Sequence, residues 1–409
     1  MAGQFRGVQA RILEVQEKAI FVHCFNHSLN LALQDTITKN QFFRNLLSNV
    51  HEIGTIMKGS PKRNAEFEKL LGKSNSIKPR PLCPSRWTVR VRAIDGILSG
   101  YDTVLEFFEN LSGSDDKVAT KAAGIYSQLE KGEFYMGLIM AKKLFSLGES
   151  LAKVLQAPAA TISGAIEAAT FTIKRLLALK SEETFEEMWV DFGVKLNEYS
   201  LHEPQAPRIR NRPKRFDKVD DSPSFDSAKS WLQHAFFQAI DFMCEEIGRR
   251  FDQSGLSMYD KMESALLKCA SGRSDDLTTV CDFYGWDSEK LLSEVSVLRN
   301  VHNTAWTTTS EIVHIYKGLK QEVKILFPTL QNYLKHLLVV PCSSAGAERS
   351  FSWLRRIKSY LRSTMGQARL NHCCLINCYG DDIVDQLDLA EMMLEFVRVS
   401  NREATFGKI

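Results

Sequence analysis

Residues 341–370 read PCSSAGAERSFSWLRRIKSYLRSTMGQARL. Ser343 or Ser344 can accept a backbone N–H at a helix start, so a helix is expected to open near Ala345. Phe351, Leu354, Ile357 and Leu361 then recur every three or four residues, one apolar stripe expected to be buried. Glu348 lies one turn before Phe351 and two turns before Arg355. Two readings of it stand side by side. One is an ordinary helix ion pair with Arg349 or Arg355, worth about 0.3 kcal/mol. The other is a divalent-metal ligand. Two-metal chemistry gathers several carboxylates around ions about 4 Å apart, which a lone glutamate cannot do.

Working outward, the C-terminal tail continues the helical pattern. Leu370, Leu375 and Ile376, then Ile383, Val384, Leu387, Leu389, Met392, Met393, Phe396 and Val397, predict two more amphipathic helices. So many apolar residues near a terminus call for a partner surface, either elsewhere in the chain or on a second copy.

Upstream, nearly everything is helical. One stripe runs from Phe42 to Met57 and another from Ile94 to Phe108. Further amphipathic segments cover roughly 116–131, 136–156, 160–180, 183–199, 225–253, 257–269 and 310–338, the last interrupted by Pro328. The front differs. Val8, Ile12 and Val15 have helical spacing, the apolar run Ala19–Cys24 predicts a buried strand, and a helix with Leu29, Ala32, Leu33 and Ile37 follows. A single strand leaves its N–H and C=O groups in need of partners. The stretch 201–224, with its prolines and no apolar period, predicts a loop.

Composition narrows the class. At 409 residues, with 44% hydrophobic and 25% charged residues, the chain is large enough for a substantial core. A net charge of +3 does not by itself imply nucleic acid, so any such contact must come from local patches. The opening MAGQFRGVQ lacks the apolar core of a secretory signal, and no window suits a membrane span. Nine scattered cysteines are then expected to be reduced thiols, in the cytosol or nucleus.

Three further motifs carry chemistry. In His23-Cys24-Phe-Asn-His27, the Cys-x-x-His spacing could form half a zinc site, but no second pair follows at finger spacing. The plainer reading is a small packed Cys and a hydrogen-bonded His at a helix start, and a third is a His near an active-site face. Arg86-Trp87 could hold a phosphate and stack on an unpaired base, or simply bury an indole at a helix start. Arg208, Arg210, Arg212, Lys214 and Arg215 form a basic strip in the 201–224 loop, suited to phosphates or to solvent.

Taken in order, these motifs resemble the hAT-superfamily transposases. Ser343 to Ser352 and Arg369-Leu370 are similar to the family signature Ser-x-x-x-x-Glu-Arg-x-Phe-Ser followed by Arg-Leu. Cys24-x-x-His27-x-Leu-Asn-Leu and Arg86-Trp87 resemble two other recurring family motifs. The basic run Arg355–Arg362 is most similar to domesticated animal members, the MYM-type zinc finger and THAP-domain repressor groups.

The resemblance implies a mainly α chain. Residues 1–85 would be an incomplete ribonuclease-H-like α/β core, 86–330 a large helical insertion, and 331–409 the C-terminal core helix and dimerisation region. It implies that Glu348 matches the third catalytic carboxylate. It also implies that the two aspartates lie upstream of the segment resembling Met1–Ala10, so a catalytically inactive, dimerising nuclear protein is expected. Phe351, Leu354, Leu370, Leu375, Ile376, Leu387 and Phe396 are the expected dimerisation residues. The partner would be a second copy or a related hAT-type chain, with weak DNA contact through Arg86, Trp87 and the basic loop. No cofactor or metal is expected, Mg or Mn belonging only to an intact upstream core. Two alternatives stay open: a fragment of an active DNA transposase, and a domesticated nuclear transcriptional regulator.

Overall fold

The computed structural model describes residues 7–72, 82, 88–157, 161–207, 225–253, 256–273, 276–302, 306–340, 342–359, 364–384 and 387–398. In order, its helices are α1 (Val8–Val15), α2 (Phe25–Lys39), α3 (Gln41–Lys58), α4 (Pro61–Leu71), α5 (Thr88–Leu98), α6 (Tyr101–Ser112) and α7 (Ala119–Leu129). There follow α8 (Gly132–Leu155), α9 (Ile162–Leu179), α10 (Glu182–Glu198), α11 (Ala228–Phe251), α12 (Ser257–Ala270), α13 (Leu277–Tyr284) and α14 (Ser288–His302). The last are α15 (Thr309–Gly318), α16 (Gln321–Lys324), α17 (Pro328–Val339), α18 (Ala345–Ile357), α19 (Gln367–Val384) and α20 (Leu389–Arg398). No described helix is long and apolar enough to cross a membrane. The chain divides into two compact units, Met1–Ser343 and Ser344–Ile409.

Local chemistry sets most helix ends. Asn40 accepts the Phe43 N–H at the head of α3, and Thr161 and Ser181 do the same for α9 and α10. Reciprocal capping boxes open α11 (Ser227 with Ser230) and α15 (Thr308 with Glu311). Pro61 and Pro328 stand in the first turn of α4 and α17, where a missing N–H removes no helical bond. Pro328 thus starts a helix, and the 310–338 segment resolves into α15, α16 and α17. Gly100, at the N-cap of α6, likewise divides the stripe Ile94–Phe108 between α5 and α6.

In the first unit, the 24-residue α8 packs on α2, α3, α5, α7, α9, α10 and α11. Its first residue must be glycine. A Cβ on Gly132 would stand 2.7 Å from the His202 carbonyl oxygen and 2.8 Å from Leu196 Cδ1. That same carbonyl accepts the Gly132 N–H at 2.9 Å, so the backbone cannot retreat without losing the bond. Gly132→Ala is expected to cost about 2 kcal/mol, seen as a lower urea midpoint. An unchanged midpoint would contradict this packing.

Helices α2 and α11 share a polar seam beside their apolar contact. The buried Glu246 carboxylate receives Lys39 at 2.8 Å and both Arg249 and Arg250, while Arg250 also pairs with Asp35. Burial alone would raise the Glu246 pKa, but the Lys39 and Arg249 contacts outweigh it and hold the carboxyl below its usual range. A carboxylate lowered on folding contributes stability that is present above its unfolded pKa of about 4 and lost as pH falls through the folded value. Glu246→Gln is therefore expected to reduce stability at pH 7 and to flatten the acid loss below about pH 4. Urea titrations across pH check this; an identical acid limb in the variant would contradict it.

The front of the chain corrects one expectation. Residues 19–24 form no strand; among the described residues, strand-type pairing is confined to an isolated parallel bridge between Lys131 and His202. The backbone at the end of this run has instead found single partners, at His23 and Phe25. The Gln253 side chain accepts the His23 N–H at 2.8 Å and donates to the His23 carbonyl at 3.3 Å. The Phe25 N–H, opening α2, donates to the Cys342 carbonyl at 3.1 Å. A side chain and a loop carbonyl thus take the backbone bonds of His23 and Phe25 that sequence alone would send to a sheet. The described fold is mainly helical.

Candidate dimerisation surface

Helix α18 begins at Ala345 with Ser344 in the N-cap position, as the spacing predicts, but no side chain caps it. Ser344 Oγ instead donates to Glu348 Oε1 at 3.0 Å, one turn along. Glu348 is exposed. The stripe expected to be buried is not: Phe351 is 68% exposed, and Leu354 and Ile357 are half-buried. Leu361 lies outside the described residues.

Helix α19 packs against α18 within the second unit. Leu370 is buried, and Cys373 and Cys374 are half-buried. At about 100° per residue these three lie on one side of the helix. Leu375, Ile376 and Tyr379 lie on the other, each more than half exposed at 53%, 66% and 55%. In α20 the positions Leu389, Met392, Met393 and Phe396, with i, i+3, i+4, i+7 spacing, are also at least half exposed, whereas Val397 is buried. Leu387, just before α20, is exposed too. Of the seven expected dimerisation residues, five are thus exposed in a single copy, Leu354 is half-buried and Leu370 is buried. Contiguous apolar faces of this kind are the usual mark of an association surface. In the first unit, Val301, Ile325 and Leu326 are comparably bare.

The remaining candidates separate. Arg86, Trp87, Arg208, Arg210, Arg212, Lys214 and Arg215 fall outside the described residues, as does Cys83. His23 and His27 are exposed, and half-buried Cys24 donates its thiol to Ser343 Oγ at 3.9 Å. The His23-Cys24 motif and the Cys342–Ser343 end of the first unit therefore meet, more than 300 residues apart in sequence (319 for that bond). Burial pushes the Cys342 thiol up to about 12, with Cys24 adding to the effect. Asp35 is engaged by Arg250, and Asp95 pairs with Lys142 at 2.8 Å.

Besides Glu246, two further buried carboxylates were not foreseen from sequence. Glu263 of α12 accepts both the N–H and the hydroxyl of Ser163 at the start of α9. Glu294 of α14 accepts the N–H groups of Thr329 and Leu330 at 3.3 and 2.7 Å, at the start of α17. Each caps another helix in space, where the helix dipole favours negative charge. Their signal was register: Glu294 sits among Leu291, Val295 and Leu298 on one apolar face, where a carboxylate must find donors.

Comparison with known proteins adds to this geometry. Over 95% of its length the chain is 19% identical to the human (Homo sapiens) 52 kDa repressor of the inhibitor of the protein kinase, covering 52% of that protein. Its mouse (Mus musculus) counterpart is 20% identical, with 95% and 53% covered. The chain thus spans about half the length of the curated relatives it matches. Residues 287–381, which hold α14 to α18 and all but the last three residues of α19, match the C-terminal dimerisation region of the hAT family.

Proposed function

We propose that this chain is a transposase-derived protein of hAT type that pairs with a second copy of itself or with a related hAT-type chain. The observation that carries this reading is the bare apolar face of Leu375, Ile376 and Tyr379, lying inside the matched dimerisation region. An interface of ordinary size takes about 800 Å² from each partner, and aliphatic and aromatic anchors of this kind form its centre.

The reading extends to catalysis. Glu348 is exposed and accepts the Ser344 hydroxyl, an arrangement that suits a carboxylate on a helix surface, and in this reading the chain performs no strand transfer. Residues 1–85 correspond to a ribonuclease-H-like core region, and residues 86–330 to a helical insertion. Arg86, Trp87 and the basic loop lend weak, salt-sensitive DNA affinity. The repressor named among the relatives favours a nuclear regulatory setting for the pair.

Two differently tagged full chains, co-expressed, are expected to co-purify, and deletion of 370–398 from both is expected to end this. Failure of the intact chains to co-purify would sink the reading. DNA nicking by the purified chain with Mg or Mn would overturn its non-catalytic part.

A further inference from the structure

Within the first unit, the middle of α9, the end of α11 and the start of α12 leave a cavity of about 330 Å³ between them. Its floor is apolar. Ile166 and Ile173 stand two turns apart on one face of α9, and Phe251 and Leu256 close the other side. These walls are already set. The Phe251 ring stacks on Phe25 at 4.9 Å, and Leu256 donates its N–H to the Gln253 carbonyl at 2.9 Å. Gln253, also on the wall, is tied in turn to His23.

The mouth carries charge of one sign. Asp252, at the end of α11, and Asp260, in the first turn of α12, are exposed carboxylates on the cavity wall. Among the described residues neither forms an ion pair, and no lysine or arginine lines the cavity. The neighbouring Arg249 and Arg250 are engaged by Glu246 and Asp35 instead.

We propose that this cavity binds a small organic cation, a primary alkylammonium whose hydrocarbon body covers the apolar floor and whose ammonium group sits beside Asp252 and Asp260. This goes beyond the pairing proposed above and does not depend on it. A preformed apolar hollow with a few polar groups at its edge is the usual form of a small-molecule site, and sites of about 300–1,000 Å³ are typical. This one is at the small end, so the ligand is a short-chain amine. Two carboxylates at the mouth repel an anion of the same shape. Because both are exposed, the ammonium keeps part of its water and avoids the desolvation cost of a buried pair. Two exposed pairings of this kind favour the cation by about 10-fold.

Gly248 is the opening in the wall. A Cβ there would meet nothing within 4 Å, so a longer side chain can enter the cavity without displacing a helix.

The test is calorimetry on the full chain with n-hexylammonium, and with hexanoate as the anion of matched length. Hexylammonium is expected to bind with a dissociation constant on the order of 0.1–1 mM, and hexanoate about 10-fold or more weakly. Asp252→Asn with Asp260→Asn should remove that preference. Gly248→Leu should abolish binding with an unchanged or higher urea midpoint, since leucine suits a helix better than glycine. Should that variant fold poorly, the asparagine pair, at exposed positions, decides the matter. No binding of hexylammonium up to about 10 mM, hexanoate bound equally well, or a preference that survives the asparagine pair would overturn the proposal. So would unchanged binding in a folded Gly248→Leu chain, which would place the site elsewhere. A blocked lysine amide bound more tightly than hexylammonium would assign the cavity to a lysine of a partner chain and overturn the small-molecule reading.

Discussion

A chain carrying Leu375→Asp and Ile376→Asp is expected to remain folded and to behave as a monomer. Both side chains are more than half exposed in the single copy, so placing charge there costs the isolated fold little. In the pair they would be dry, and each carboxylate would be buried without a partner. A central anchor is worth at least about 2 kcal/mol, so losing two weakens association by about 1,000-fold or more. Sedimentation across a concentration series reads this directly. Circular dichroism should be unchanged, which separates lost association from lost folding.

Phe236→Ala should do the opposite, costing stability through the core. Phe236 on α11 is fully buried, with its ring centroid 6.5 Å from Phe185 and 6.2 Å from Phe237. Truncation removes the burial of the ring and leaves a cavity that the helices around α11 can fill only in part. The expected loss is about 3–5 kcal/mol, visible as a lower urea midpoint with an unchanged slope. A loss below about 1 kcal/mol would mean that this part of the core repacks freely.

These two outcomes mirror what the sequence makes legible. Three- and four-residue apolar spacing is a local property, and it locates α3, α8, α9, α10, α11 and α12 to within a few residues. Ala19–Cys24 misleads for a related reason. Its β-branched residues favour an extended backbone, but whether extended chain becomes strand depends on what pairs with it. Here the partners are the Gln253 side chain, 230 residues away, and the Cys342 carbonyl, and no local pattern announces either. Segments α4, α13 and α14 lie where the sequence analysis named no helix, and α14 carries the buried Glu294 among its apolar positions.

The candidate surface was legible in a different way. The apolar content of the tail called for a partner, and the bare faces of α19 and α20 agree with that need. What spacing could not say is which side of each residue faces outward. Phe351, expected in a buried stripe, is 68% exposed, whereas Leu370 is buried. The sign of a dimerisation helix is two apolar sides, one for its own unit and one for the partner. In α19 these are Leu370 with the half-buried cysteines, and Leu375 with Ile376 and Tyr379.

The most direct measurement is the mass of the intact chain in solution, by light scattering at micromolar concentration. The chain weighs 46.4 kDa, and the predicted result is twice that, falling to a monomer's mass when residues 370–398 are removed. A mass of 46.4 kDa for the intact chain, or a dimer that survives the deletion, would contradict it.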